Sequence, residues 1–268
     1  MDNRPIGIFD SGVGGLTVMR EIMEQLPFEN IIYLGDTARI PYGSKSEQTI
    51  KKYAHQCSMF LKNKNVKTIV IACNTASSIA LEQLKQTFDI PVLGVIEPGA
   101  KSASKITENG RIGVIGTTAT INSNAYQNKI MEYRRDAEVI GIPCPLFVPI
   151  VEEGWEYSLV AELTAEKYLT ELAEHEVDAL VLGCTHYPIL RYTIKKVIGP
   201  NVKLVNPAFE TAKDLKKLLE DNNIMRESLD KPIYEYYTSD APERLRRIGG
   251  NFLKKEINNL YEVSIDTL

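Results

Sequence analysis

Cysteine is scarce in this chain: there are four thiols in 268 residues, Cys57, Cys73, Cys144 and Cys184. That is too few for a disulfide framework, and reduced thiols in the cytoplasm are the expectation. Histidine is scarcer still, with three residues, and there is a single tryptophan. No apolar run approaches the roughly 20 residues needed to cross a membrane. Met1-Asp2-Asn3-Arg4-Pro5 leads into the strand-like Ile6-Gly7-Ile8-Phe9 without the apolar core of a secretory signal. Positive charge is not in excess either: 31 Lys and Arg stand against 35 Asp and Glu, a formal net charge of -4. That balance speaks against a nucleic-acid surface, and the short basic cluster Arg244, Arg246, Arg247 reads as a solvated helix face. No fixed-period repeat or low-complexity segment is seen. The 44% hydrophobic and 25% charged content that remains is that of a soluble globular protein with one large domain or two of ordinary size.

Apolar runs alternate with helix-period segments. The pattern predicts strands at 6–9, 31–34, 68–72, 92–95, 112–115, 139–142, 179–182 and 202–205. Helices are predicted at 16–25, 47–62, 76–87, 122–134 and 159–175, and the helical pattern continues to the C-terminus. Strands alternating with helices imply βαβ units and parallel sheets. The expected fold is α/β: two similar, doubly wound parallel-sheet domains with the active site in the cleft between them. Ile96-Glu97-Pro98-Gly99 and Val205-Asn206-Pro207-Ala208 read as turns and linkers. They divide the chain into a first domain, 1–97 plus 207–268, and an inserted second domain, 98–206.

Two strand ends resemble each other. Thr68-Ile69-Val70-Ile71-Ala72-Cys73-Asn74-Thr75 and Ala179-Leu180-Val181-Leu182-Gly183-Cys184-Thr185-His186 are apolar runs ending in a small residue, a cysteine and then hydroxyl, amide or imidazole groups. A buried parallel strand delivers its last residues to the carboxyl rim, where open α/β sheets bind ligands. A helix N-terminus just after a thiol is expected to lower its pKa. Cys57, on an apolar helix face, and Cys144, between two prolines, read as structural.

Other strand ends are polar as well. Asp10-Ser11-Gly12-Val13-Gly14-Gly15 lies between a strand and a helix, so its backbone N–H groups can approach an anion, or it simply caps the helix. Asp10 reads as a proton-handling or orienting carboxylate and Ser11 as a ligand donor. Tyr42 and Gly43 can offer a hydroxyl and N–H groups from a turn. Gly116-Thr117-Thr118-Ala119-Thr120 offers hydroxyls and also caps a helix. His186 stands two residues beyond Cys184, where it can relay a proton, and Glu152 or Glu153 can hold its tautomer. His55 and His175 read as surface residues.

In their order along the chain, Asp-Ser-Gly-Val-Gly-Gly (10–15), Gly-Asp-Thr-Ala-Arg-Ile-Pro-Tyr-Gly (35–43), Ala-Cys-Asn-Thr-Ala-Ser (72–77), Gly-Thr-Thr-Ala-Thr (116–120) and Leu-Gly-Cys-Thr-His-Tyr-Pro (182–188) resemble the glutamate racemases of the cofactor-independent aspartate/glutamate racemase family. The resemblance implies an isomerase that interconverts L- and D-glutamate for peptidoglycan and cell-wall synthesis. It implies Cys73 and Cys184 as the two acid/base residues, Asp10 assisting the first, and His186 with Glu152 assisting the second. Ser11, Tyr42, Gly43, Asn74, Thr75, Thr117, Thr120 and Thr185, together with Asp10 and His186, are implied to hold the substrate. It further implies no cofactor or metal, a small-molecule partner rather than nucleic acid or membrane, and a cytoplasmic homodimer.

The chemistry accounts for two thiols. Racemisation takes a proton from one face of Cα and returns one to the other, so two bases on opposite sides need only exchange roles. Donors such as Asn74, Thr75 and Thr185 suit the enolate character that develops on the α-carboxylate. Residue types alone also admit a zinc hydrolase built on Cys73, Cys184 and His186, or a noncatalytic amino-acid sensor.

Overall fold

The computed structural model describes residues 2–228 and 230–265. Strand and helix alternate: β1 (Ile6–Asp10) leads to α1 (Leu16–Gln25), β2 (Ile31–Gly35) to α2 (Glu47–Asn63), β3 (Thr68–Ile71) to α3 (Asn74–Thr87), and β4 (Val92–Gly94) to α4 (Ile96–Ile106). A second series follows. β5 (Arg111–Gly116) precedes α5 (Thr118–Asn122) and α6 (Ala125–Tyr133), and β6 (Glu138–Pro143) precedes α7 (Phe147–Glu152) and α8 (Leu159–Glu174). β7 (Ala179–Gly183) leads to α9 (Arg191–Ile198) and β8 (Lys203–Val205) to α10 (Pro207–Asp221). The chain then adds β9 (Tyr234–Thr238), α11 (Pro242–Leu253) and β10 (Leu260–Glu262).

Every ladder between described strands is parallel. One sheet has the order β10-β9-β2-β1-β3-β4 and the other β6-β5-β7-β8. Set side by side, β2-β1-β3-β4 and β6-β5-β7-β8 are the same winding, with the first strand inside, the second on one flank and the third on the other. Strand order reverses between the first and third strands, and the crevice outside their carboxyl ends is the usual ligand site. Cys73 follows β3 and Cys184 follows β7, so the two thiols take equivalent places in the two windings. β1, β2, β3 and β7 are buried along their whole length, which is why they read as continuous apolar runs.

Four expectations are corrected. Ile96-Glu97-Pro98-Gly99 is no turn but the first turn of α4, where the N–H that Pro98 lacks would have had no helical partner. Asn206 caps α10, its side chain accepting the Ala208 N–H at 3.1 Å, and Pro207 opens that helix. Both expected linkers are therefore helix starts; α4 and α10 pack on each other, and α10 touches strands of both sheets. The helix expected at 122–134 is α6, which begins only at Ala125 after Asn124 at φ 54°, and a separate short helix, α5, precedes it. Finally, the helical pattern does not run unbroken to the C-terminus, because Tyr234-Glu235-Tyr236-Tyr237-Thr238 and Leu260–Glu262 form β9 and β10 and widen the first sheet. One apolar core joins the windings, running from Ile8 and Met19 through Ala208 and Leu215 to Phe147 and Leu180.

Candidate active site

The carboxyl ends of β1, β3, β5 and β7 face a cavity of about 170 Å³. That is small beside the roughly 300–1,000 Å³ of pockets for drug-sized ligands. Cys73 and Cys184 both line it, with Ser11, Asn74, Thr75, Thr117, Thr185, His186 and Glu152. The Gly12 backbone, the segment Ile40 to Gly43, and Val148 with Pro149 complete the wall.

Around Cys73 every partner comes from the first sheet. The thiol caps α3, accepting the Ala76 N–H at 3.5 Å, and donates to Ser11 Oγ at 3.6 Å. Asp10, at the end of β1, lies one layer behind and is 1% exposed. Its Oδ2 accepts the Gly12 N–H at 2.9 Å. Burial pushes the Asp10 carboxyl above its ordinary range, against the pull of His186 and the Gly12 amide. Burial, and then the charge of Asp10, push the Cys73 thiol up to about 12. The expected lowering by the helix N-terminus is therefore overruled at Cys73, since one amide contact does not offset removal from water. Burial likewise pushes the Cys57 and Cys144 thiols up.

Cys184 sits in a chain of charged partners. Its Sγ is 3.8 Å from His186 Nδ1, and His186 Nε2 is 3.0 Å from Glu152 Oε1 at the end of α7. Arg244 Nη2 then donates to Glu152 Oε2 at 2.7 Å. Burial opposes a charged His186, but the hydrogen bonds to Cys184 and Glu152 push the imidazole up to about 10. Burial also acts to raise Glu152, and His186 with Arg244 outweigh it, holding the carboxyl below its ordinary range. The choice left open between Glu152 and Glu153 is thus made by geometry, Glu153 being exposed. Arg244 is not the purely solvated residue its cluster suggested, although Arg246 pairs with Glu243 on its own helix. The Phe252 edge packs on the His186 ring at 5.8 Å and 89°.

Hydroxyls tie the two rims together. Thr75 Oγ1 lies 2.8 Å from Thr117 Oγ1 and 3.2 Å from Thr120 Oγ1, and Thr120 sits behind Thr117 rather than on the cavity wall. Thr17 Oγ1 donates to the Thr185 carbonyl at 2.8 Å. A Cβ on Gly14 would lie 2.2 Å from Thr185 Oγ1, so this glycine serves close approach of the two sheets. The Gly12 amide is already committed to Asp10, so the glycine loop is less an anion cradle than its composition suggested. Asn74 Oδ1 accepts the Tyr126 hydroxyl at 2.7 Å. Tyr42 is corrected more sharply: its hydroxyl donates to buried Asp36, so its part in the cavity wall is carried by backbone and ring. Glu97, in the first turn of α4, bonds Tyr133, and Asn206, after β8, caps α10; neither lines the cavity. Among the described residues no group of three His, Cys, Asp or Glu side chains could hold a metal ion.

Residues 6–214 match the family model described as Asp/Glu/Hydantoin racemase.

The chain belongs to this racemase family.

A glutamate racemase from Geobacter metallireducens is 49% identical over 98% of this chain and 97% of its own length. The crystal structure of glutamate racemase from Francisella tularensis in complex with D-glutamate superimposes with a TM-score of 0.94, at 44% identity and 100% coverage of both chains. A glutamate racemase isoform from Bacillus anthracis gives 0.95 at 38% identity, covering 98% of each chain. The fold brings the predicted site residues onto the cavity or, for Asp10 and Thr120, directly behind it, except that the Tyr42 hydroxyl turns away to Asp36. The sequence pattern offers no functional reading for Phe252, Tyr126 or the apolar wall of Ile40, Val148 and Pro149, and it reads Arg244 as solvated. The wall residues and Tyr126 sit in turns or helices whose local pattern carries no sign of a cavity. Arg244 and Phe252 reach His186 and Glu152 only because α11 returns to the rim late in the sequence.

Proposed function

We propose that this racemase interconverts L- and D-glutamate through two thiols, Cys73 and Cys184, acting at opposite faces of Cα. The observation that carries the reading is a single small cavity onto which both thiols open, each with its own set of proton-handling partners. The glutamate racemases among its relatives, and the D-glutamate held by the Francisella tularensis enzyme, support the substrate.

In the forward step the thiolate of one cysteine takes the Cα proton and becomes a thiol. The electron pair left on Cα delocalises into the α-carboxylate. The thiol opposite then gives its proton to Cα from the other face and becomes a thiolate, so the pair ends with its roles exchanged. Asp10 assists at Cys73, and His186 held by Glu152 assists at Cys184. The hydroxyls of Ser11, Thr75, Thr117 and Thr185 and the first amides of α3 provide fixed donors for substrate carboxylates in a site whose walls are largely buried. Tyr42, Gly43, Asn74 and Thr120 shape or brace the wall. A noncatalytic sensor has no use for two partnered thiols, so the racemase reading is favoured.

D-glutamate made here serves peptidoglycan synthesis in the cytoplasm. The exposed apolar side chains Trp155, Tyr157, Leu159, Leu163 and Tyr192 support a homodimer, which light scattering tests. The two parallel sheets support two domains, 1–97 with 207–268 and 98–206, which limited proteolysis tests. Incubation with L-glutamate in heavy water is the main test. Loss of optical rotation with Cα deuterium uptake is expected, and neither should occur with both thiols replaced. Racemisation that persists in Cys73→Ser or Cys184→Ser at the native rate rules out the two-thiol scheme.

A further inference from the structure

The partners of the two thiols differ in where they come from. Ser11 and Asp10 belong to the same winding as Cys73. His186 and Glu152 belong to the same winding as Cys184, but the last link does not. Arg244 stands on α11, which packs against α1 and lies in sequence between two strands of the first sheet. It reaches across to α7 and closes a bidentate-occupied carboxylate, with Glu152 Oε1 on His186 and Oε2 on Arg244. Phe252 of the same helix packs edge-on against the His186 ring. Arg20 of α1 in turn holds the Phe252 carbonyl at 2.9 Å. A helix of one winding thus fixes both the carboxylate that orients His186 and one side of the imidazole itself.

We propose that Arg244 is a positioning residue for the Cys184 half of the reaction alone, acting through Glu152 and His186, and that it makes this half depend on contact between the two windings. The inference rests on the two-thiol reading above. The physical basis is geometric. Glu152 has two oxygens, and the one not facing His186 needs a partner if the carboxylate is to keep one orientation. Arg244 fills that place with a planar donor, and outer partners of this kind set the orientation of the group that meets the substrate. Among the described residues the hydrogen bonds of Cys73 run to Ser11 and Ala76, both of its own winding. If the windings part, Arg244 leaves Glu152, while the Cys73–Ser11–Asp10 cluster stays whole.

A glutamate analogue carrying a leaving group on Cβ separates the halves. Removal of Cα–H by one thiolate expels the leaving group with its electron pair, and the second thiol is not needed. The two Cα isomers of the analogue therefore report the two thiols separately. The isomer whose elimination is lost in Cys184→Ala defines the Cys184 face, and Cys73→Ala defines the other. Arg244→Ala is expected to slow elimination at the Cys184 face by about ten- to a hundredfold, the range for loss of an orienting outer partner. Elimination at the Cys73 face should stay within about twofold, and Arg244→Lys should recover part of the loss because it keeps the charge but not the planar fork. Raised ionic strength should mimic the variant weakly at the Cys184 face only, since Arg244 is half-exposed. Equal slowing at both faces, or no slowing at the Cys184 face, overturns the assignment of Arg244 while leaving the two-thiol scheme standing. If Cys184→Ala and Cys73→Ala do not discriminate between the isomers, the two-thiol scheme falls and this inference falls with it.

Discussion

Cys73 and Cys184 follow the third strands of two identical windings, yet their surroundings are built on different principles. Cys73 is capped by a backbone amide, touches one serine hydroxyl and has a buried carboxylate behind it. Burial, and then the charge of Asp10, push its thiol up to about 12. Cys184 faces an imidazole that is itself pushed up to about 10 and ion-paired to Glu152, which is paired in turn with Arg244. Equivalent topology therefore placed the sulfurs alike, and the residues beyond them set different proton chemistry. A reaction that exchanges the roles of its two bases does not require that they be tuned in the same way.

The strongest way to break the comparison is to remove each sulfur. Cys73→Ser and Cys184→Ser should each lower two-way racemisation by about a thousandfold or more, within the span for loss of a positioned acid/base group. Polarimetry measures this directly. A large loss in one variant and none in the other would make the site one-sided.

Next in size is the charged chain beside Cys184. His186→Asn should reduce turnover by about a hundredfold, and Glu152→Gln by about tenfold, because Glu152 acts through the imidazole. The pH dependence sharpens this. A charged His186 adds stability that is fully present below its unfolded pKa near 6.5 and is lost as pH rises toward about 10. Urea titrations should show this decline in the native chain and a flatter curve in His186→Asn.

Asp10 tests the other half. Its carboxyl is raised by burial, so ionising it costs the fold stability as pH rises. Asp10→Asn should therefore gain roughly 1 kcal/mol of stability at pH 7 while losing activity, the usual exchange at a functional site. Thermal melts and rate assays on the same sample check both directions. A loss of stability would mean that the Gly12 N–H contact outweighs burial.

The smallest expected effect concerns alkaline stability. Cys73 favours the folded state while it remains a thiol, and that contribution is lost as pH climbs from about 9 toward about 12. Cys57 and Cys144, also raised by burial, add to the same decline. Cys73→Ser should flatten part of it in melts recorded between pH 8 and 11.

Much of the cavity was legible because buried parallel strands deliver their last residues to one rim, and those residues carry the chemistry. Ser11, Cys73, Thr117 and Cys184 were found this way. The same local reading failed where a residue's neighbours in sequence say nothing of its neighbours in space. Tyr42 sits in a polar turn that suggested an offered hydroxyl, but Asp36 takes it. Arg244 sits in a basic run that suggested solvent, but its guanidinium meets Glu152 from a position 92 residues further along the chain. Pro98 and Pro207 looked like breaks, and each instead lies in the opening turn of a helix.

The sequence by itself determined the alternation of strand and helix, the pairing of two cysteine-bearing strand ends and the residue types around them. Those features are local, since hydrophobic period and strand-end polarity are written in consecutive residues. Tertiary structure alone decided that Glu152 rather than Glu153 meets His186, that Arg244 crosses between windings, and that burial overrides the helix N-terminus at Cys73. Desolvation and ion pairing depend on which distant groups exclude water from a site, and only the packed chain fixes that.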